Sequence, residues 1–212
     1  MFLAFDGIDG GGKTTQAELL AEWLCAQGRE VVCCRDPGST AVGEAVRKIL
    51  LEPGPVPLAL PAEMLLYMAA RSQLVAEVIR PALAAGKCVL SDRFLLANVV
   101  YQGHAGGLDP DLIWQIGVLA CGGLMPALTI VLDLPVEAAL ARLRRPLDRI
   151  EQRGRGFAQA VRDGYLAEAR RRPAQIVVLD ATLPIDTLQQ QVRQIAARLL
   201  AQHAQGEERH AT

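Results

Sequence analysis

A glycine-rich loop near the start of the chain constrains its fold more than any other feature. Residues 7–14 fit the pattern G-x-x-x-x-G-K-[ST] and lie between an apolar run, Met1 to Phe5, and a helical pattern that begins near Lys13. Such a loop offers backbone N–H groups and a helix N-terminus to a polyphosphate, while Lys13 reaches the β- and γ-phosphates and the Thr14 hydroxyl ligates Mg²⁺. The chain is therefore predicted to bind a nucleoside triphosphate. The residues predicted to bind it are Gly7, Ile8, Asp9, Gly10, Gly11, Gly12, Lys13, Thr14 and Thr15.

Composition predicts a single domain. The chain has 212 residues, of which 51% are apolar, and this is enough to bury one substantial core. We expect one domain over residues 1–204 and a disordered tail over 205–212, because helical periodicity is lost near His203. The five cysteines have no metal-ligand spacing and their number is odd, so we expect buried, reduced thiols.

Charge and hydropathy restrict the class of partner. The net charge of -1 argues against a general nucleic-acid surface. The chain enters an apolar run at once, without a charged leader, and no apolar stretch is long enough to span a bilayer. We therefore expect a cytoplasmic protein that acts on small molecules, without nucleic-acid or membrane partners.

Short apolar runs alternate with helical patterns along the whole chain. The apolar runs are Met1 to Phe5, Glu30 to Cys34, Cys88 to Ser91, Leu128 to Leu132 and Ile176 to Leu179. The helical patterns are Lys13 to Gln27, Val42 to Leu51, Ala62 to Ala85, Asp111 to Cys121, Val136 to Leu143, Phe157 to Arg171 and Pro184 to Ala204. This alternation predicts an α/β protein with a three-layer P-loop NTPase fold, in which helices flank a five-stranded parallel sheet.

Two carboxylates compete for the Mg²⁺ site that accompanies a phosphate-binding loop. Asp92 ends the third apolar run and Asp133 ends the fourth, and ligands collect at the carboxyl ends of parallel strands. We favour Asp92, because the neighbouring Arg93 supplies a bidentate ligand for a second phosphate. Asp133 is expected to cap the helix that begins near Val136.

An arginine-rich segment at about 142–156 follows the fourth strand. Its arginines are Arg142, Arg144, Arg145, Arg149, Arg153 and Arg155, with Gly154 and Gly156 beside them. Such a block is often a solvated face or a nucleic-acid patch. In a phosphate-handling protein of nearly neutral charge, a short lid that closes over the transferring phosphoryl group is the better interpretation.

Two further segments carry paired polar and aromatic residues. Tyr67 and Arg71 are an i, i+4 pair on one helical face, and together they can stack on a base and bind its edge. Tyr101 and Gln102 precede a glycine-rich turn. Taken alone, both pairs are equally compatible with core or surface positions, and neither identifies a substrate.

In combination, these segments resemble thymidylate kinase in order and spacing, from Phe5 to about Thr182. The segments that carry the resemblance are Phe5-Asp6-Gly7-Ile8-Asp9-Gly10, Arg35-Asp36-Pro37-Gly38, Leu66-Tyr67-Met68-Ala69-Ala70-Arg71, Asp92-Arg93-Phe94, Tyr101-Gln102-Gly103 and Leu147-Asp148-Arg149-Ile150-Glu151. The chain is similar to the bacterial type, because Gly10 stands where eukaryotic members have an arginine. The resemblance implies transfer of the ATP γ-phosphoryl group to dTMP, with Mg²⁺ and in a homodimer.

The resemblance also implies roles for individual residues. Lys13, Arg93, Arg149 and Asp92 would be catalytic, with Thr14 and Asp92 serving the metal. Arg142 would stack on adenine, near the loop at 180–182, and Arg149 would neutralise transition-state charge, with Arg153 and Arg144 as alternatives. The residues implied for the dTMP site are Asp9 for the sugar 3′-hydroxyl, Tyr67 for the thymine face, Arg71 and Gln102 for the base edge, Arg93 and Arg47 for the phosphate, Tyr101 for the deoxyribose, and Pro37 and Asn98.

The sequence departs from the family pattern beside the acceptor. Leu96 and Ala97 stand where an acidic residue and a serine are usual, so that a polar contact with the acceptor is missing. Discrimination between dTMP and dUMP stays open, because one methyl group is worth only about 1–3 kcal/mol in an apolar pocket. The alternatives are a kinase for another nucleoside monophosphate or a deoxynucleoside, and an ATP-dependent switch module without catalysis.

Overall fold

The computed structural model describes residues 1–52, 57–143, 146 and 148–210, with side chains as far as Gln202. Its centre is one sheet of five strands in the order β2-β3-β1-β4-β5. All neighbouring strands are parallel. The strands are β1 (Phe2–Asp6), β2 (Val31–Arg35), β3 (Cys88–Asp92), β4 (Leu128–Asp133) and β5 (Ile176–Asp180). The prediction of a five-stranded parallel sheet is confirmed.

Helices cover both faces of the sheet. The α-helices are α1 (Lys13–Ala26), α2 (Ala41–Leu51), α3 (Leu60–Leu74), α4 (Arg80–Ala84), α5 (Leu95–Asn98), α6 (Pro110–Ala120), α7 (Val136–Arg142), α8 (Arg155–Arg171) and α9 (Ile185–His210). A π-helical segment, Val75–Ile79, joins α3 to α4, and a second, Val99–His104, continues α5. A 3₁₀ turn, Glu151–Arg153, lies in the lid segment.

One helical region was missing from the sequence prediction. The stretch from Leu95 to His104 is helical throughout, although no helix was predicted there. Its residues Leu95 to Val100 are all buried. A helix that is buried on every side shows no apolar stripe, so periodicity could not reveal it.

The last helix ends later than predicted. Its pattern was expected to stop at Ala204, but the backbone of α9 is helical to His210. The disordered tail over 205–212 stays a prediction, and only the end of the predicted helical pattern changes. Residues 211–212, the end of that predicted tail, lie outside the described residues.

The core is built on the central strands. Leu3 and Phe5 of β1, Leu90 of β3 and Ile130 of β4 are almost completely buried. Burying each such side chain contributes roughly 1.5–3 kcal/mol. Because helices cover both faces, these strands are continuous apolar runs, and the sequence pattern located them to within about one residue.

All five cysteines have free thiols. Cys34, Cys88 and Cys121 are buried as expected, but Cys25 and Cys33 are exposed. The prediction of buried thiols is wrong for these two, because the helix and the strand that carry them each have a solvent-facing side. Among the described residues, none of the helices is both long and apolar enough to cross a membrane.

The strand register brings the functional segments together. Asp92 is aligned with Phe5 of β1 on one side and with Arg35 of β2 on the other. The carboxyl ends of β1, β2 and β3 therefore lie level with each other. The glycine loop, the segment after Arg35 and Arg93 all start from this one edge of the sheet.

Candidate active site

The glycine loop joins β1 directly to α1 and packs tightly against β4 and α7. Gly7 and Gly10 have positive φ angles of 129° and 82°. A Cβ on Gly7 would lie 2.5 Å from the Leu132 carbonyl oxygen, and one on Gly10 would lie 2.6 Å from that of Ala139. These two positions require glycine, because both the backbone conformation and the space exclude a side chain. The loop is thereby held in the shape that exposes its N–H groups.

Lys13 is held inside this loop. Its Nζ donates to the carbonyl oxygens of Gly7 at 3.2 Å and Ile8 at 3.0 Å, and it lies 3.6 Å from Asp9 Oδ1. Burial lowers the pKa of Lys13, as does the charge of Arg93, whereas Asp9 opposes the change. The ammonium group is placed at the centre of the loop, where a polyphosphate would lie.

Thr14 and Asp92 meet across the sheet edge. Thr14 Oγ1 donates to Asp92 Oδ2 at 2.6 Å. Hydroxyl and carboxylate oxygens are the ligand type that Mg²⁺ takes beside phosphates, so the residues present fit this ion. Asp133 instead binds Arg162 with both oxygens, at 2.7 and 2.9 Å. The expected cap is wrong: Pro135 occupies the N-cap position of α7, and no side chain caps that helix.

Arg93 lies between the glycine loop and a second pocket, which is described below. Its Nη1 donates to Gly7 O and to Tyr165 Oη, both at 3.0 Å, and its Nη2 donates to Asp9 Oδ1 at 2.7 Å and to Tyr101 Oη at 3.1 Å. Its backbone has a φ of 69°, in the left-handed region. Such a conformation costs of order 1–3 kcal/mol in a residue with a side chain and is typical of functional sites.

Asp6 lies beneath Arg93 and is completely buried. Tyr165 Oη donates to Asp6 Oδ1 at 2.9 Å, and Arg93 Nη1 lies 3.7 Å from the same oxygen. Burial raises the pKa of Asp6 to about 7, although Arg93 and the Tyr165 hydrogen bond oppose the change. The carboxyl therefore titrates near neutral pH directly under the arginine that joins the two sides of the site.

A second pocket opens beside Arg93 and reaches from Asp9 of the glycine loop to α3. Its lining residues are Asp9, Asp36, Pro37, Arg47, Leu51, Tyr67, Arg71, Arg93, Ala97, Asn98, Tyr101, Asp148 and Ile150. Tyr67 and Arg71 both face this pocket, as their helical spacing indicated. Arg47 Nη1 donates to Pro37 O at 2.9 Å, and burial lowers the pKa of Arg47. An aromatic ring and several guanidinium groups thus surround one small pocket.

Arg71 is fully buried at the back of this pocket. Its Nε donates to Asp36 Oδ2 at 2.5 Å, and its Nη1 donates to Asn98 Oδ1 at 3.1 Å. Its guanidinium also lies over the Phe94 ring, 5.6 Å from the centroid. Burial raises the pKa of Asp36, and the charge of Arg71 opposes that rise. The contacts fix the guanidinium plane in one orientation.

Gln102 lies one layer behind the pocket. It is 1% exposed, accepts a hydrogen bond from Asn98 Nδ2 at 2.7 Å and donates to Glu63 Oε1 at 2.8 Å. Asn98, rather than Gln102, is the amide that lines the pocket. The resemblance implied that Gln102 reads the base edge, but Gln102 does not line this pocket and contacts it through Asn98.

The opposite side of the glycine loop carries a more open pocket. It is lined by Gly10, Gly11, Gly12, Thr15, Gln16, Arg142, Ala181, Leu183, Ile185 and Leu188. Arg142 bridges this pocket, donating to Gly10 O at 3.4 Å and to Ala181 O at 3.3 Å. The loop after β5 and Arg142 are brought together at this pocket, and their role in adenine binding stays a prediction.

Three lid arginines, Arg149, Arg153 and Arg155, form ion pairs with carboxylates. Arg149 Nη2 and Arg153 Nη2 donate to Glu63 Oε2 at 2.7 and 2.6 Å, and Arg155 contacts Glu137. Arg144 and Arg145 lie outside the described residues. Arg149 is thus held beside the second pocket, which its neighbours Asp148 and Ile150 line, and not at the glycine loop.

Sequence reasoning missed two residues that organise the site. Tyr165 contacts both Asp6 and Arg93, and Glu63 contacts Gln102 and two lid arginines. Both are fully buried. The only local signal for Glu63 is a carboxylate inside an otherwise apolar helical stretch, Glu63 to Ala70.

A phosphate-binding loop that faces a second, arginine-lined pocket, with an arginine-rich segment between them, defines a P-loop nucleotide kinase. A profile of the thymidylate kinase family matches residues 5–192. The chain belongs to the thymidylate kinase family.

Individual relatives agree with this assignment. The chain is 42% identical to a thymidylate kinase of Symbiobacterium thermophilum, over 97% of each chain. It is 49% identical to one of Desulforudis audaxviator, over 85% of this chain and 83% of that protein. A crystal structure of thymidylate kinase from Ehrlichia chaffeensis superposes with a TM-score of 0.75 at 31% identity, covering 92% of this chain and 98% of that chain.

Proposed function

We propose that the protein transfers the γ-phosphoryl group of ATP to dTMP, giving dTDP and ADP. The observation that carries the proposal is a cavity of about 750 Å³ that reaches from Lys13 and Thr14 at the loop to Arg47 and Arg93 at the second pocket. One cavity with cations at both ends suits two nucleotides whose phosphates meet in the middle. Family membership supports the choice of donor and acceptor.

On the donor side, the loop residues 7–15 bind the ATP phosphates and Lys13 neutralises their charge. Thr14 and Asp92 would hold Mg²⁺, which when bound supplies further positive charge at the phosphates. Arg142 lies against the adenine ring, in the pocket that it forms with Ala181.

On the acceptor side, Tyr67 stacks on thymine and Arg71 donates to an oxygen of the base edge. Asn98 completes the contact with the base, and Gln102 fixes the orientation of Asn98. The acceptor phosphate and sugar are bound by Arg93 and Arg47, by Asp9 at the 3′-hydroxyl, and by Tyr101 and Pro37 beside the deoxyribose.

Phosphoryl transfer mainly requires alignment and charge stabilisation, so this chain needs no dedicated base. Arg93 is held by Gly7, Asp9, Tyr101 and Tyr165 and stays fixed while the phosphates approach. A lid arginine adds charge at the transition state, and the closed lid excludes water.

The proposed assembly is a homodimer. Large apolar side chains are exposed on two adjacent helices, Leu65 on α3 and Leu112, Val118 and Leu119 on α6, and Leu119 is 81% exposed. A second copy that covers this face would bury them, and light scattering would detect the dimer.

Because ATP is the donor, we place the reaction in the cytoplasm.

The test is ADP release with ATP and Mg²⁺, offering dTMP, dUMP, dCMP, dGMP, dAMP and thymidine separately. We expect dTMP to be strongly preferred over dCMP, dGMP and dAMP, and thymidine to be inactive, because Arg47 and Arg93 bind an acceptor phosphate. Preference for another monophosphate would contradict the thymine assignment. ADP release that does not depend on any acceptor would contradict the kinase assignment.

A further inference from the structure

A buried carboxylate outside the phosphate-binding residues joins the acceptor pocket to the lid. Glu63, at the start of α3, is 0% exposed. Its Oε1 accepts from Gln102 Nε2 at 2.8 Å, and its Oε2 accepts from Arg149 and Arg153 at 2.7 and 2.6 Å. One oxygen therefore faces the base-binding amides, and the other faces the lid.

The hydrogen bonds that lead to Glu63 have a fixed direction. Arg71 donates to Asn98, Asn98 donates to Gln102, and Gln102 donates to Glu63. A guanidinium only donates and an ionised carboxylate only accepts, so both amides between them have a single orientation that satisfies the chain. A base that contacts Arg71 or Asn98 thus acts on a network that ends at the lid arginines.

Arg149 ties the lid to the opposite wall of the pocket as well. Its Nε donates to Leu50 O at 2.7 Å, and its backbone N–H donates to Leu51 O at 3.1 Å. These carbonyl groups belong to the end of α2, the helix that carries Arg47. Arg149 therefore bonds both to the end of α2 and to Glu63, and these bonds hold the middle of the lid in place; we call Arg149 the clamp.

We propose that Glu63 is a positioning residue that couples the base pocket to the lid, with Arg149 acting as the clamp and not on the transferring phosphoryl group. The inference rests on the proposed function, because it assumes that the second pocket takes the acceptor base. A base that bonds to Arg71 or Asn98 strengthens the Arg71-Asn98-Gln102 chain, and Glu63 transmits this effect to Arg149 and Arg153.

The first test is Glu63→Gln, which keeps the shape of the side chain and removes its charge. We expect kcat with dTMP to fall by about tenfold or more and the dTMP KM to rise, because lid misplacement by about 1 Å can cost about 100-fold in rate. The ATP KM should change by less than about twofold, since the loop contacts are untouched. Glu77→Gln, an exposed change further along the same helical region, is the matched control.

The second measurement is hydrogen–deuterium exchange of a lid peptide covering 148–156, with and without dTMP. In the wild type, dTMP should slow exchange in this peptide, whereas Glu63→Gln should abolish that response. An equal response in both proteins would overturn the proposal. A thermal melt of each variant separates loss of coupling from loss of the fold.

The third measurement is a double-mutant cycle with Arg149→Ala. A clamp and its anchor act as a unit, so the double variant should lose about as much kcat as the worse single variant. Additive losses would mean that Arg149 acts on the phosphoryl group independently of Glu63 and would overturn the proposal. Failure of the wild type to phosphorylate dTMP would instead reject the proposed function.

Discussion

We expect the contribution of the buried Asp6 carboxyl to the free energy of unfolding to fall as the pH rises from about 4 to about 7. The perturbation is Asp6→Asn, which keeps the size of the side chain and removes its titration. Burial raises the pKa of Asp6 from 3.8 to about 7 in the folded protein. Between these values the folded state holds a proton that the unfolded state releases, so the free energy of unfolding falls with increasing pH.

The size of the effect follows from the pKa values. A rise from 3.8 to about 7 corresponds, at about 1.36 kcal/mol per pH unit, to roughly 4 kcal/mol between pH 4 and pH 7. Stability that is fully present below the unfolded pKa is lost as the pH passes the folded pKa. The variant minus wild-type difference in unfolding free energy should therefore rise by roughly 4 kcal/mol from pH 4 to pH 8.

The assay is urea unfolding followed by circular dichroism at pH 4 to 8, at fixed protein concentration. Asp180→Asn is the control, because Asp180 is exposed and hydrogen bonds from Thr182 lower its pKa. That control difference should be constant from pH 5 to pH 8. A constant difference for Asp6→Asn over the same range would refute the argument that burial controls this carboxyl.

Three further predictions concern the nucleotide pockets. Arg71→Ala should raise the dTMP KM by roughly 10- to 100-fold, because this is the factor in binding that a hydrogen bond to a charged group contributes. Steady-state kinetics should show little change in the ATP KM, and equal losses for both substrates would contradict base recognition. In denaturant unfolding, Gly10→Ala should destabilise the protein by about 2–4 kcal/mol, because its Cβ would clash with Ala139 O. The control is Gly28→Ala, where φ is similar but the surrounding space is open, and this change should cost only about 1 kcal/mol. Thr14→Val should raise the Mg²⁺ concentration for half-maximal rate by about tenfold or more, measured by metal titration; an unchanged titration would remove Thr14 from the metal site.

The sheet could be predicted because its strands are buried on both faces. The run Cys88 to Ser91 was predicted as a strand, and the observed strand is Cys88–Asp92. Continuous apolar runs between helices leave little ambiguity in an α/β protein. The helical region from Leu95 to His104 was not predicted, because a helix buried on every side has no contrast between an apolar and a polar face for periodicity to detect.

The site could be predicted most directly where functional residues follow a strand end. Asp92 and Thr14 are 78 positions apart, yet Asp92 ends β3 and Thr14 lies at the start of the helix after β1, and the two form a hydrogen bond. Glu63 could not be found in this way, because its partners Gln102 and Arg149 are 39 and 86 positions away on different elements. Nothing in the sequence around Glu63 marks which distant donors satisfy it.

The two groups of arginines differ in how they are held, and this difference assigns them to different tasks. Arg93 lies at a strand end in a strained conformation, with its guanidinium bonded to Gly7, Asp9, Tyr101 and Tyr165. A side chain fixed in this way loses little conformational entropy when it binds a phosphate, so Arg93 is suited to align the acceptor. Arg149 and Arg153 of the lid instead share one carboxylate, Glu63, which belongs to another element. Their position can therefore respond to what occupies the acceptor pocket, whereas that of Arg93 stays constant.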